Sequence, residues 1–186
     1  MDEASVKGQT VISFLKFVGE ALPAEKQAEL MLSVAPRYRE ELTRRMVLAT
    51  NTYPISLLNA MTIEGARLAE LPVAEFARRA GRFAAREGVQ GVYRVFVRVL
   101  NTNTVLSKAA AMWSTMNTGG KMTAEQTSAN SAVIWLREYP NPQPVMCDRI
   151  TGWIEHIAEM TGVKPSIEHP RCAGDHSAEC EWRIHW

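Results

Sequence analysis

Three cysteines in the last quarter of the chain constrain this sequence more than any other feature. Cys147, Cys172 and Cys180 are the only cysteines among 186 residues. The closing run from Glu179 to Trp186 alternates strictly. Cys180, Trp182, Ile184 and Trp186 point to one side, and Glu181, Arg183 and His185 to the other, the period of a half-buried strand. Ala173-Gly174-Asp175-His176-Ser177 supplies turn chemistry before it, and Val163 to Ile167 is the expected partner strand. Cys172 and Cys180 are therefore predicted across the mouth of one hairpin. Cys147 lies three residues before Ile150, on the apolar side of a helix predicted over about 143–161.

What gathers three thiols has more than one answer. Zinc takes about four ligands at a tetrahedral point and favours thiolates in structural sites. The cysteines supply three, and His169 is the preferred fourth, with Glu168 and His176 as rivals. Three core cysteines, or a Cys172–Cys180 disulfide, would satisfy the same spacing. The acidic start of the chain is unlike a signal peptide, so a cytoplasmic setting is expected, and there free thiols or a metal outnumber disulfides.

The rest of the chain reads as an α+β domain with an antiparallel sheet. N-terminal helices are expected over about 1–118, followed by a sheet-and-helix part over 119–186 with one long helix between two hairpins, all in a single domain. Apolar residues recur at helical spacing over 8–22, 23–34, 37–48, 55–70 and 73–88. The β-branched run 89–100 is also read as helix, and Asn103 as the cap of the helix after it. At Gly119-Gly120 the period changes from 3.6 to 2. A formal charge of +1 gives no general pull toward nucleic acid, and no apolar run is long enough for a membrane span.

Catalytic motifs fail on inspection. Gly119-Gly120-Lys121 lacks the earlier glycine of a phosphate loop, no GxSxG or HExxH occurs, and all four histidines follow residue 155. The row Arg78, Arg82, Arg86 is read as a solvated helix face. A ligand pocket is expected among Tyr93, Phe96, Trp113, Met116 and Ile134, with Gln126 or Tyr93 as a polar group. The first helix carries Val11, Leu15, Val18 and Leu22, widened by Ile12, Phe14 and Phe17 beyond what one core needs, so a homodimer is expected.

The pattern Cys147-x4-Gly152-Trp153, then Cys172-x-Gly174-Asp175-x4-Cys180-x-Trp182, resembles the vinyl-4-reductase-type domain, the sensor module of phenol- and toluene-responsive activators. The wider run from Lys7-Gly8 through Gly81-Arg82-Phe83 to Trp186 is similar to stand-alone myxobacterial-type members. The resemblance implies zinc held by the three cysteines and an acidic residue three positions before the middle one, a position that is His169 here. It also implies kinship with haem-nitric-oxide-binding and trafficking-complex domains, which hold an apolar guest between helices and sheet. The proximal histidine of the haem proteins and the pocket histidine of the phenol sensors have no counterpart in the helical part.

The expected function is a non-enzymatic, zinc-stabilised module. It would bind a small apolar or aromatic molecule and act as a sensor or signalling adaptor, through self-association or a protein partner. An interaction protein with a filled core is the alternative. A reductase-type enzyme is the third reading, and the sequence offers it no nicotinamide fingerprint.

Overall fold

Prolines and glycines divide the chain close to where their backbone preferences place them. The structure is a computed structural model, and it describes residues 3–44, 46–89, 100–175, 177 and 179–186. Strand β1 (Ser5–Lys7) runs directly into α1 (Gly8–Ala21). Then come α2 (Ala24–Ser33), α3 (Pro36–Thr43), β2 (Thr52–Pro54), α4 (Ile55–Ala69) and α5 (Val73–Gly88). After the segment 90–99 follow α6 (Thr102–Ala111), α7 (Trp113–Met116), β3 (Lys121–Ser128) and β4 (Ser131–Arg137). Helix α8 (Pro144–Glu159), β5 (Ser166–Arg171), a 3-10 turn (Ala173–Asp175) and β6 (Glu179–His185) complete the chain. The helix expected over 89–100, with Tyr93 and Phe96, falls outside the described residues.

Both hairpins form, and they join into one antiparallel sheet of order β3-β4-β6-β5. Its register sets Leu136 beside Cys180, Ile134 beside Trp182 and Ala132 beside Ile184. All six are almost wholly buried, so the alternation read from the sequence is the face turned to the helices. Glu181 breaks the pattern, since it belongs to the opposite face yet is 2% exposed. Arg183 Nε donates to its Oε1 at 2.7 Å, and Arg171 Nε stands 3.2 Å from Oε2. The two guanidiniums cover it.

Three element boundaries differ from the sequence reading, each for a local reason. Helix α3 stops at Thr43 instead of continuing to Leu48. The chain beyond it is needed as a cap, because Gly8 N–H donates to Asn51 O at 2.7 Å and Gln9 N–H to Ala49 O at 3.1 Å, satisfying orphan donors of α1. A side chain at Gly8 would place its Cβ 2.0 Å from Leu48 O. The Tyr53-Pro54 break is itself strand β2, paired antiparallel with β1. Helix α6 is capped by Asn101, whose Oδ1 accepts from Thr104 N–H at 2.8 Å, and not by Asn103.

Helices α5 and α8 meet backbone to backbone. A Cβ on Gly81 would lie 1.9 Å from Arg149 O, and one on Gly152 would lie 2.1 Å from Arg78 O. The two glycines are reciprocal, each making room for the other helix. The arginine row flanks this crossing. Arg82 forks onto Glu159 at 2.6 and 3.0 Å, Arg78 approaches Glu155 at 3.7 Å, and Arg86 reaches Glu20 on α1 at 3.0 Å. The row faces solvent for much of its surface, as expected, and also pairs with carboxylates on the neighbouring helices. Glu159 is held below the usual carboxylate range by its hydrogen bonds from Arg82.

The wide stripe of α1 is filled within one chain. Val11, Phe14, Phe17, Val18 and Leu22 are buried, Ile12 and Leu15 pack against the core, and Phe17 meets Phe76 and Phe83 of α5 with centroids 5.0 and 5.8 Å apart. This removes the ground on which self-association through that helix was expected. No helix among the described residues is long and apolar enough to cross a membrane.

Candidate metal centre

Four side chains from three elements converge below the start of α8. Pro144 opens that helix at a position where its missing N–H costs nothing, and Cys147 follows within the first turn, 1% exposed. Cys180, in register with Leu136, is wholly buried beneath it. Cys172 follows β5 and leads into the 3-10 turn.

His169 is brought in by an irregularity in the edge strand. Glu168 pairs with Arg183 and Arg171 with Glu181, so His169 and Pro170 together oppose Trp182. Such a bulge places two residues against one and re-aims a side chain, and proline, lacking an N–H, suits it on an edge strand. The imidazole lies flat on the Trp182 indole, with centroids 4.6 Å apart and planes at 4°. Trp182 is held in turn, because its Nε1 donates to Thr151 Oγ1 at 2.8 Å and Thr151 donates to Cys147 O at 2.9 Å.

The ligand atoms of Cys147, His169, Cys172 and Cys180 all lie within 4.8 Å of one another. Cys147 Sγ is the hub, 3.4 Å from Cys172 and 3.5 Å from Cys180. These are non-bonded separations, against ~2.0 Å for a disulfide, and none of the three cysteines is in a disulfide. A tetrahedral zinc with ~2.3 Å bonds to sulfur spaces its ligands by about 3.8 Å. The two Cys147 separations are slightly shorter than that and the cluster as a whole spans up to 4.8 Å, so a bound ion needs only small shifts of its ligands. Glu168, the adjacent rival, is exposed on β5, while His176 lies outside the described residues.

The electrostatics ask for a cation. Cys180 is lowered to about 5, chiefly by the hydrogen bond from Cys147, with help from His169 and from Ala173 N–H, which donates to its sulfur at 3.4 Å. Cys147 is pushed far up by that same bond to Cys180 and by burial. One thiolate thus forms readily among the sulfurs, and a second meets burial and a neighbouring negative charge. A dication would relieve both. His169 Nε2 is buried without a hydrogen-bond partner, and the imidazole stands beside the sulfurs.

An open recess of about 390 Å³ is lined by Pro144, Cys147, Asp148, His169, Pro170, Cys172 and Ser177. Burial raises the Asp148 carboxyl. Gly174 closes the turn tightly, because a Cβ there would lie 3.0 Å from Pro144 Cδ and 3.3 Å from Cys172 Sγ. Sequence reading missed Trp182 as the platform for His169 and Ala173 N–H as a sulfur partner. Pro170, which the bulge needs, was the available signal for the first.

Of the expected pocket residues, Tyr93 and Phe96 lie outside the described residues. Ile134 is fully buried in the core, and Trp113 and Met116 are half-buried. Trp113 Nε1 donates to Gly119 O at 2.8 Å, and its ring meets Tyr139 edge-on at 6.0 Å. Gln126 is exposed on β3, with its amide donating to Ser128 O at 2.8 Å.

No family model and no curated protein sequence matches the chain. Its fold is similar to that of H-NOX proteins. The S. oneidensis H-NOX protein in its Fe(II)NO state aligns with TM-score 0.74 at 14% identity, over 96% of this chain and 98% of that one. An unliganded Fe(II) H-NOX mutant from K. algicida gives 0.72 at 13%, over 96% and 95%. A third neighbour, from a study of haem redox potential and porphyrin distortion, gives 0.68 at 14%, over 97% and 99%. At such identities the likeness is one of fold.

Haem does not fit the ligating side chains present. Among the described residues His156 lies 3.4 Å from Glu159, His169 joins the sulfurs and His185 is exposed on β6. Every cysteine belongs to the cluster. Among the described residues, every thiol and one of the imidazoles of the kind haem commonly uses are gathered in the cluster.

Proposed function

We propose that this chain is a small-molecule sensor or signalling adaptor of vinyl-4-reductase type, stabilised by zinc at Cys147, Cys172, Cys180 and His169. The convergence of four ligand atoms within 4.8 Å of one another carries the reading. Such a centre has four protein ligands and no position for a reacting water, so its role is structural. It clamps the start of α8 to β5 and β6. The H-NOX-like fold supports the sensor half, since the S. oneidensis neighbour is a nitric oxide complex.

A guest held between helices and sheet changes how α8 rests on the sheet, and a second copy or a separate protein reads that change. The exposed Leu32, Met46 and Leu48, and not the filled stripe of α1, are the apolar side chains such a contact would cover. The packing of Ile134 favours the alternative of a scaffold with a filled core. Elemental analysis tests the centre, with about one zinc per chain expected in protein purified without chelator and less than ~0.2 excluding it.

A further inference from the structure

The two edges of the four-stranded sheet are defended differently. An edge strand offers unpaired N–H and C=O groups to any other strand, and folded proteins blunt it with prolines and bulges. Strand β5 carries both, in Pro170 and in the irregularity between Glu168 and Arg171. Strand β3, at the opposite edge, has eight residues and no proline. It runs in unbroken register along β4 from Lys121 to Gln126, and its irregularity lies beyond, between Gln126 and Ser128. Among the described residues no strand pairs with its outer side. Met122 is buried and Ala124 half-buried on the helix-facing side, while the other six side chains are exposed.

The open stretch is complementary to itself. Met122 lies beside Leu136 on the helix-facing side, so Lys121, Thr123 and Glu125 alternate onto the outward face. A two-fold axis through Thr123, perpendicular to the sheet, sets a second β3 antiparallel to the first. Lys121 of each copy then opposes Glu125 of the other, and Thr123 opposes Thr123. On the inward side Met122 opposes Ala124, a large side chain over a small half-open one. Opposite charges and threonine pairs directly across from one another stabilise antiparallel strands. Moving the axis by one residue in either direction sets Lys121 against Thr127 or Thr123 and breaks both charge pairs. Within one chain these charges are weakly engaged. Lys121 reaches Glu138 at 2.9 Å, but both side chains are mostly exposed, so little is lost by exchanging that contact. Glu125 has no ion-pair partner among the described residues.

We propose that β3 is a self-recognition edge, where a second copy of this chain pairs antiparallel about Thr123 and extends one sheet across both copies. The inference rests on the reading above in which a second copy answers the module, and it leaves Leu32, Met46 and Leu48 to a different protein. The metal cluster belongs to the far side of the sheet, at β5 and β6, so this pairing does not cover it. A contact running only from Lys121 to Glu125 on each side is small, which places the association in the weak, reversible class.

The test is sedimentation equilibrium of the zinc-loaded full chain at low salt, up to about 0.5 mM, a range suited to weak contacts. Wild type is expected to dimerise reversibly. Lys121→Glu and Glu125→Lys each set like charges against one another at both ends of the pair, and each is expected to weaken the dimer at least about tenfold. Mixed in equal amounts, the two variants restore opposite charges at both ends, so a heterodimer of wild-type affinity is expected. Both positions are exposed, and zinc content is expected to be unchanged in each variant.

A wild type that stays monomeric over this range overturns the pairing and leaves the zinc-stabilised module to signal through a separate protein. A dimer that both charge variants keep, or that Leu48→Glu alone removes, lies elsewhere and overturns it as well. So do variants that are each monomeric and stay monomeric when mixed, because the charges would then act outside this register.

Discussion

The four ligands differ in what could replace them. Nothing beside Cys180 can stand in for its sulfur, which is wholly buried and already receives Ala173 N–H. His169 sits at the open side, where water enters the recess. Cys180→Ser is expected to lose the zinc and about 3 kcal/mol or more of stability, and His169→Ala about half that with partial metal retained, by denaturant titration beside metal analysis. A second expectation concerns alkali. Burial raises Tyr139 to about 12, so its contribution is complete below pH ~10 and is lost as pH climbs toward the folded value. Melting temperature should fall between pH ~10 and ~12 in wild type and fall less in Tyr139→Phe. At this scale the sulfurs were legible, because three cysteines sharing one buried face leave few arrangements. His169 stayed one of three options, since strict alternation cannot register the extra residue at Pro170 that goes with its place beside the sulfurs.

Among the elements, the α5–α8 crossing separates two kinds of contact by magnitude. Gly152→Ala forces a Cβ against a backbone carbonyl 2.1 Å away, so the helices must part. A loss of about 3 kcal/mol is expected, at the upper end of overpacking costs. Arg82→Gln removes a fork whose two side chains are each more than a third exposed, and a loss under about 1 kcal/mol is expected. Urea denaturation of both variants checks the order, and a reversed order would mean that charge, not close approach, holds the helices. The strong periodicities of α1, α4, α5 and α8 were readable because each buries one face. The end of α3 was not, since Met46 and Leu48 fit the helical spacing while the chain there serves as the cap of α1. A segment recruited by a distant helix carries no local mark of it.

For the whole molecule, the zinc reading predicts uneven loosening when metal is withdrawn. With a high-affinity chelator, amide exchange should quicken around 144–147 and 169–180, while α1 and α4 keep their protection. Uniform exchange across the chain would mean that no local clamp had been lost. Light scattering of the wild type against Leu48→Glu tests self-association in multiples of 20.8 kDa. A dimer that becomes monomeric in the variant supports the exposed apolar side chains as the contact, and a wild-type monomer leaves the signal to a separate protein. The reciprocal glycines also bear on how such a signal travels. Side chains between helices act as springs that absorb small shifts by changing rotamer, and at Gly81 and Gly152 there are none. A displacement of α8, such as a zinc ion bound at its first turn would cause, has no compliant layer in which to dissipate. It reaches α5 at nearly full amplitude and passes on through Phe76 and Phe83 to α1, so the crossing works as a rigid lever with its fulcrum in the backbone.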